Sequence, residues 1–264
     1  AVSVDYATVA GTATGADYAA GVDGLSGTLS FAAGVTSQTI TLAIVDDAVF
    51  EASESFVINL SNAVNAAIGD GQGVGTIRDD GTGGGGTDDD TPSLSVSGAA
   101  VIEGTDNFAV FTVSLSNAST SDVSFNLALA NSTALGGGVD YGTGGAGNLQ
   151  VFVGGVWVDA ASATIAAGQT SVQVRTPVSD DLLDEAAESF TLTAAVTAGT
   201  TSNPSAAGTG TIGDNDGAPS VTIDDVTRNE AAGTITFTVT LDAPSALAVS
   251  VDYATVAGTA TGAD

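Results

Sequence analysis

Residues 1–17, AVSVDYATVAGTATGAD, recur unchanged at residues 248–264, which fixes a repeat period of 247 residues. A chain that copies itself at a fixed period is expected to be a tandem array of units, each burying its core within itself and against its neighbours. The chain therefore reads as a stretch slightly longer than one period, with both ends falling inside a repeating unit. A weaker repeat lies within the period. Asp46–Phe56 reads DDAVFEASESF and Asp180–Phe190 reads DDLLDEAAESF, so both keep the frame D-D-x-x-x-E-x-x-E-S-F. Two related units share each period, and whatever fold they adopt must place this acidic frame twice.

The hydrophobic pattern around the frame has a period of two. Ile40, Leu42 and Ile44 alternate with polar residues, as do Phe56, Ile58 and Leu60, and Phe111 to Ser116 reads FTVSLS. The cleanest run, TITFTVTL, puts Ile235, Phe237, Val239 and Leu241 on one face. Alternation of this kind marks half-buried strands, and no 3.6-residue stripe of useful length competes with it. Short strands, regular turn signals and few helix formers predict an all-β chain of tandem immunoglobulin-like antiparallel β-sandwiches, each with about seven strands. The second unit is longer between its first acidic residue and the frame. The extra sequence, NLQVFVGGVWVDA, predicts a hairpin turning at Gly154–Gly155 and carrying the single Trp, Trp157, as a core or hairpin anchor.

Composition excludes several function classes. The chain has no Cys, His, Met or Lys; its only cations are Arg78, Arg175 and Arg228, and its formal charge is -28. Such a field repels nucleic acid and anionic membrane surfaces and makes divalent cations the natural counterions. Without Cys or His there is no disulfide framework, no ordinary zinc site and no Ser-His-Asp triad. No apolar run approaches the roughly 18 residues a membrane helix needs. With no signal peptide and no initiator Met, the sequence reads as an internal piece of something longer.

Only six Glu occur, and they fall at repeated positions: Glu51 and Glu54 with Glu185 and Glu188 in the frame, and Glu103 with Glu230 just upstream of an alternating run. Acid is otherwise Asp. In the second unit the carboxylates at strand ends are Glu103; Asp140; Asp180, Asp181, Glu185 and Glu188; and Asp214 and Asp216. In the other unit they are Glu230; Asp17 and its copy Asp264; Asp46, Asp47, Glu51 and Glu54; and Asp79 and Asp80. A sandwich gathers alternate loops at one end, where such groups would repel one another without a cation. Calcium takes six to eight oxygen ligands and tolerates irregular geometry, so Ca2+ is the expected cofactor. Glu54 and Glu188 could instead satisfy backbone donors. Asp23, Asp70, Asp88, Asp89, Asp90, Asp106, Asp122 and Asp159 lack repeated positions and read as ordinary turn residues.

These motifs together resemble the Calx-beta family. They are VTRNEAAG (Val226–Gly233) and VIEG (Val101–Gly104), TVAGTATGADY (Thr8–Tyr18), GTLSFAAG (Gly27–Gly34), the D-D-x-x-x-E-x-x-E-S-F frame, and GTIRD or GTIGD at the close of each unit. The resemblance covers nearly the whole chain apart from the linker and the hairpin. It implies a calcium-binding β-sandwich in which the opening Glu, the Asp before Tyr, the paired Asp with its following Glu, and the closing Asp run are ligands. Each closing run, Asp79–Asp80–Gly81 and Asp214–Asn215–Asp216, is one carboxylate short of the family's pattern. The implied units are 1–80, lacking its opening strands; 81–91, a Gly- and Asp-rich linker; 92–217, complete, with the added hairpin; and 218–264, the opening strands of the next.

The expected role is not enzymatic. A glycosidase could use paired carboxylates, but aromatic lining for sugar is sparse. Near-identical serial copies suit mechanical length, so the expectation is a calcium-rigidified rod or filament at a bacterial cell surface, serving adhesion or matrix. The alternative is a self-assembling filament or surface-layer subunit in which 218–247 of one molecule completes 1–80 of the next. Partners are then neighbouring repeats or identical subunits, with no nucleic acid and no membrane insertion.

Overall fold

A computed structural model of the chain describes residues 1–79, 90–143 and 148–260. Most of the expected linker at 81–91 lies outside them, as do Asp80 and Asp264. The first 79 residues form β1 (Val2–Ala10), β2 (Tyr18–Ala19), β3 (Ser26–Phe31), β4 (Ala43–Ile44), β5 (Glu54–Val64) and β6 (Gln72–Ile77). Four of these make one antiparallel sheet in the order β3-β1-β5-β6, and β2 pairs with β4.

Ten strands follow: β7 (Leu94–Val96), β8 (Ala99–Ile102), β9 (Phe108–Leu115), β10 (Val123–Asn131), β11 (Gln150–Val153), β12 (Val156–Asp159), β13 (Ser162–Ile165), β14 (Ser171–Pro177), β15 (Glu188–Ala198) and β16 (Ser205–Gly213). They form two five-stranded sheets, β13-β10-β15-β16-β8 and β12-β11-β14-β9-β7. The count exceeds seven for two reasons. The opening strand switches sheets, so that β7 pairs antiparallel with β9 while β8 runs parallel to β16. The hairpin β11–β12 adds a pair, turning at Gly154 and Gly155 with φ of 60° and 86°, a left-handed backbone that suits a two-residue glycine turn. Trp157 anchors this hairpin rather than the core. It packs on Phe152 at 5.1 Å and lies 4.3 Å from the Arg175 guanidinium, which also sits over the Phe108 ring at 3.7 Å.

The core lies between the two five-stranded sheets. Phe111 of β9 meets Phe190 of β15 edge-on at 5.8 Å, and Tyr141 stacks on Phe190 at 4.0 Å. Val113, Val123, Phe125, Val174 and Leu192 surround them, fully buried. Gly210 makes room for the Phe190 ring, since a Cβ there would lie 2.5 Å from ring carbons. The first unit repeats this device: Tyr18 stacks on Phe56 at 4.5 Å, and a Cβ on Gly75 would lie 2.4 Å from the same ring.

That first unit has only one large sheet among the described residues, so Phe56 and Ile58 are half-buried where Phe190 and Leu192 are fully buried. After the sandwich come β17 (Val221–Ile223), a 3-10 turn at Glu230–Ala232, and β18 (Val239–Leu241), which pairs with β17. Among the described residues no helix is long and apolar enough to cross a membrane.

Candidate metal centres

The acidic frame crosses the end of the sandwich just before β15, or β5 in the first unit. Its second Asp fixes the loop locally: Asp47 accepts from the Val49 N–H and Asp181 from the Leu183 N–H, both at 2.8 Å. Its first Glu is held by the closing run, whose Asp accepts the Glu backbone N–H. Asp79 takes that of Glu51 at 2.6 Å, and Asp214 takes that of Glu185 at 3.0 Å. The second Glu begins the strand that carries the buried Phe, so its carboxylate stands at the strand mouth. The Asp before Tyr lies beside the segment that leads into the frame, its carbonyl accepting the Val45 or Ser179 N–H at 2.9 Å, and is tied into its own turn by the Thr14 N–H onto Asp17 at 2.6 Å and the Leu135 N–H onto Asp140 at 2.5 Å.

Three clusters result, each with carboxylate oxygens within 4.8 Å of one another: Asp17 with Glu51 and Glu54, Asp140 with Glu185 and Glu188, and Glu103 with Asp214 and Asp216. The first two are the same site in successive units. Glu54 and Glu188 thus join the acidic clusters. The third lies on the other side of the closing run, where Glu103 is only 6% exposed. Beside it Gly104 holds a left-handed backbone at φ 64°, and a Cβ there would displace the Asn215 amide and the Asp180 carboxylate, 2.1 and 2.6 Å away.

Asp46 and Asp47 line the rim of a small cavity of about 70 Å³ that Asp17, Glu51, Glu54 and Asp79 also line. Asp180 accepts a hydrogen bond from Asn215 at 3.3 Å, between the two clusters of its unit. Glu230 opens the exposed 3-10 turn and joins no cluster among the described residues. Of the scattered Asp, Asp23, Asp106 and Asp122 accept the backbone N–H groups of Thr41, Ile102 and Ala167, and Asp88 and Asp89 lie outside the described residues.

The electrostatics are those of acids crowded without a counterion. Burial, then a hydrogen bond to Asp214 and the charges of Asp181 and Asp214, push Glu103 up to about 7. Burial and the Asp140 neighbour push Glu188 up to about 7. Burial, then Asp17 and Glu54, push Glu51 up to about 6. In each cluster a neighbouring carboxylate adds to the effect of burial in raising the Glu: Asp17 beside Glu54, Asp140 beside Glu188 and Asp214 beside Glu103. Two buried carboxylate oxygens, Oε2 of Glu54 and Oδ2 of Asp216, have no hydrogen-bond partner. Donors that are all oxygen, crowded, and partly orphaned fit a hard divalent cation.

One feature escaped the sequence reading. The residue before the first Glu of each frame reaches the following unit. Phe50 forms a parallel bridge with Ser119, its N–H donating to Ala118 at 2.8 Å and its carbonyl accepting from Thr120 at 2.9 Å. Asp184 forms the same bridge with Ser245, its carbonyl accepting from Ala246 at 2.9 Å. Phe50 and Asp184 share one place in the frame, and Ser119 and Ser245 share one place after Leu115 and Leu241. The signal was positional rather than chemical: two unlike residues, Phe and Asp, at one place in the frame.

A family model described as Calx-beta domain matches residues 1–81, 87–158 and 213–264. A search of curated proteins gave no match. Among solved structures, the chain is similar to an apo-form Calx CBD1 domain at 16% identity, covering 47% of this chain and 99% of that one with a TM-score of 0.34. It is also similar to the calcium binding domain CBD12 of CALX1.1, at 21% identity, 73% and 66% coverage and a TM-score of 0.29. CBD12 from CALX1.2 matches at 20% identity, with 76% and 71% coverage and a TM-score of 0.29.

Proposed function

Because this chain belongs to the Calx-beta domain family, we propose that it is a calcium-binding structural repeat whose ions stiffen the joints of an extracellular rod. Calcium is held by Asp17, Glu51 and Glu54 in the first unit, and by Asp140, Glu185 and Glu188 in the second. A second ion in the complete unit is held by Glu103, Asp214 and Asp216, with Asp180 and Asp181 at its edge. Asp46, Asp47 and Asp79 stand at the corresponding edge of the first site. Each ion cancels the repulsion among the crowded carboxyls.

The observation that carries this reading is the repeated bridge from the acidic loop to the next unit. Glu51 and Glu185 follow directly on the bridging residues Phe50 and Asp184. An ion that fixes Glu51 or Glu185 therefore fixes the main chain of the joint as well. The role is mechanical: serial copies add length, the net charge of -28 keeps the surface hydrated, and the absence of Lys leaves trypsin only three sites. Adhesion or matrix assembly at a cell surface is the setting that suits such a rod.

Small-angle scattering of the chain in calcium and then in chelator tests it. The expected result is an elongated particle with a narrow distance distribution in calcium that broadens reversibly on chelation. Identical profiles in both conditions would overturn the stiffening role.

A further inference from the structure

Among the described residues the hairpin β11–β12 takes no part in the metal clusters or the joint, and it has no counterpart in the first unit. Between β2 and β4 that unit has only β3, which pairs with β1 as β13 pairs with β10. The side chains of the hairpin divide by face. Val151 is buried in the core, so its neighbours Gln150 and Phe152 point outward from the sheet. Pairing puts Trp157 opposite Phe152, and sets Asp159 and Arg175 on either side of Gln150.

Two rungs therefore cross the outer face, about 7 Å apart. One is polar: Arg175 Nε donates to Gln150 Oε1 at 2.8 Å, and Gln150 Nε2 donates to Asp159 Oδ1 at 2.9 Å. The other is aromatic: Phe152 is 39% exposed, and Trp157 is half-buried beside it. Arg175 links the rungs, touching the Trp157 ring and, beyond it, that of Phe108. Of the seven aromatic residues in 92–217, Phe111, Phe125, Tyr141 and Phe190 fill the core. The other three, Phe108, Phe152 and Trp157, gather at this one place. Packing accounts for Trp157 but not for the ring left exposed or for the polar rung laid next to it.

We propose that this outer face binds a neutral polysaccharide. A sugar ring has an apolar C–H face and an edge of hydroxyls, each of them both donor and acceptor. The aromatic rung takes the C–H face and the polar rung takes the hydroxyls, the division of labour usual in ligand sites. Among the described residues the Nε bond is the one hydrogen bond of Arg175, and Asp159 has one carboxylate oxygen unused. The terminal N–H groups of Arg175 and that oxygen are left as donors and acceptor for a ligand. Charge selects the class of sugar. Arg175 and Asp159 cancel within the rung, and a chain of formal charge -28 repels a polyanion. None of these residues belongs to a carboxylate cluster, so the binding does not rest on the calcium reading.

The test is affinity electrophoresis of the full chain through gels cast with xyloglucan, galactomannan, laminarin or dextran. Dextran sulfate is the anionic probe, and the melting of each variant is measured alongside. Retardation is expected with at least one neutral polysaccharide and not with dextran sulfate. Trp157→Ala should weaken that binding about ten-fold or more. Phe152→Ser, at an exposed position, should also weaken it while leaving the melting temperature unchanged, which keeps the test decisive should Trp157→Ala disturb the hairpin. Val156→Ser alters the opposite face of the same hairpin, at a position 60% exposed, and should leave the retardation as it is. The proposal is overturned if no neutral polysaccharide retards the chain, or if dextran sulfate alone does. It is overturned equally if Phe152→Ser binds like wild type, or if Val156→Ser loses as much binding as Phe152→Ser.

Discussion

At the residue scale the crowded carboxyls determine how the metal-free protein responds to pH. The sign is opposite to that of a salt-bridged carboxylate. Glu103 and Glu188 stand near 7 in the folded chain, against an ordinary Glu value of 4.5. Between these limits the folded state binds more protons than the unfolded one, so stability falls as pH rises. Metal-free protein is expected to melt at a higher temperature near pH 5 than near pH 7.5, and saturating calcium should remove or reverse that difference. Calorimetry in chelator across this range checks it; a flat or rising profile contradicts it. The same pairs predict that calcium binding releases protons near neutral pH, measurable as a buffer-dependent binding enthalpy. Glu188→Gln separates charge from packing. It should raise the metal-free melting temperature by relieving repulsion with Asp140 and Glu185, while weakening calcium binding about ten-fold or more.

At the scale of elements, the strands that build the sandwich follow from alternation, and the joint follows from backbone hydrogen bonds. Phe111→Ala, which empties the contact between sheets, should destabilise the complete unit by about 3–5 kcal/mol in denaturant unfolding. Gly210→Ala should cost roughly 1–3 kcal/mol, because the added methyl meets the Phe190 ring. Ala246→Pro removes the N–H that donates to Asp184. It should broaden the calcium-loaded scattering profile while leaving the melting of the complete unit within about 0.5 kcal/mol of wild type. Much of this level was legible in the sequence. The period-two run at Phe111–Ser116 marked a strand and Gly154–Gly155 marked the hairpin turn, whereas the run at Thr234–Leu241 is strand only over Val239–Leu241. The sheet switch between β7 and β8 was not legible, since both segments are short and apolar and only pairing distinguishes them. The joint was also missed, because backbone bonds from Phe50 and Asp184 leave no side-chain signature.

At the scale of the whole molecule, the repeat gave the acidic sites and the structure gave their grouping. Glu54 and Glu188 could have been backbone partners; the Asp before Tyr draws them into the clusters. Asp46, Asp47, Asp180 and Asp181 shape the rim and the loop rather than the centre of each group. Glu230 stands apart on the exposed turn between β17 and β18 and joins no cluster among the described residues. The arrangement places the acidic cluster of each unit beside the residues that touch its neighbour. A cation bound there would act on stability and on the joint together. The most direct test is thermal unfolding of the chain in saturating calcium and in chelator, beside the double variant Glu185→Gln with Glu188→Gln. The account predicts a melting transition of the complete unit that calcium shifts strongly upward, as ligand binding to the folded state requires, and a double variant in which most of that shift is lost. Equal melting with and without calcium, or a full shift surviving in the double variant, would contradict it.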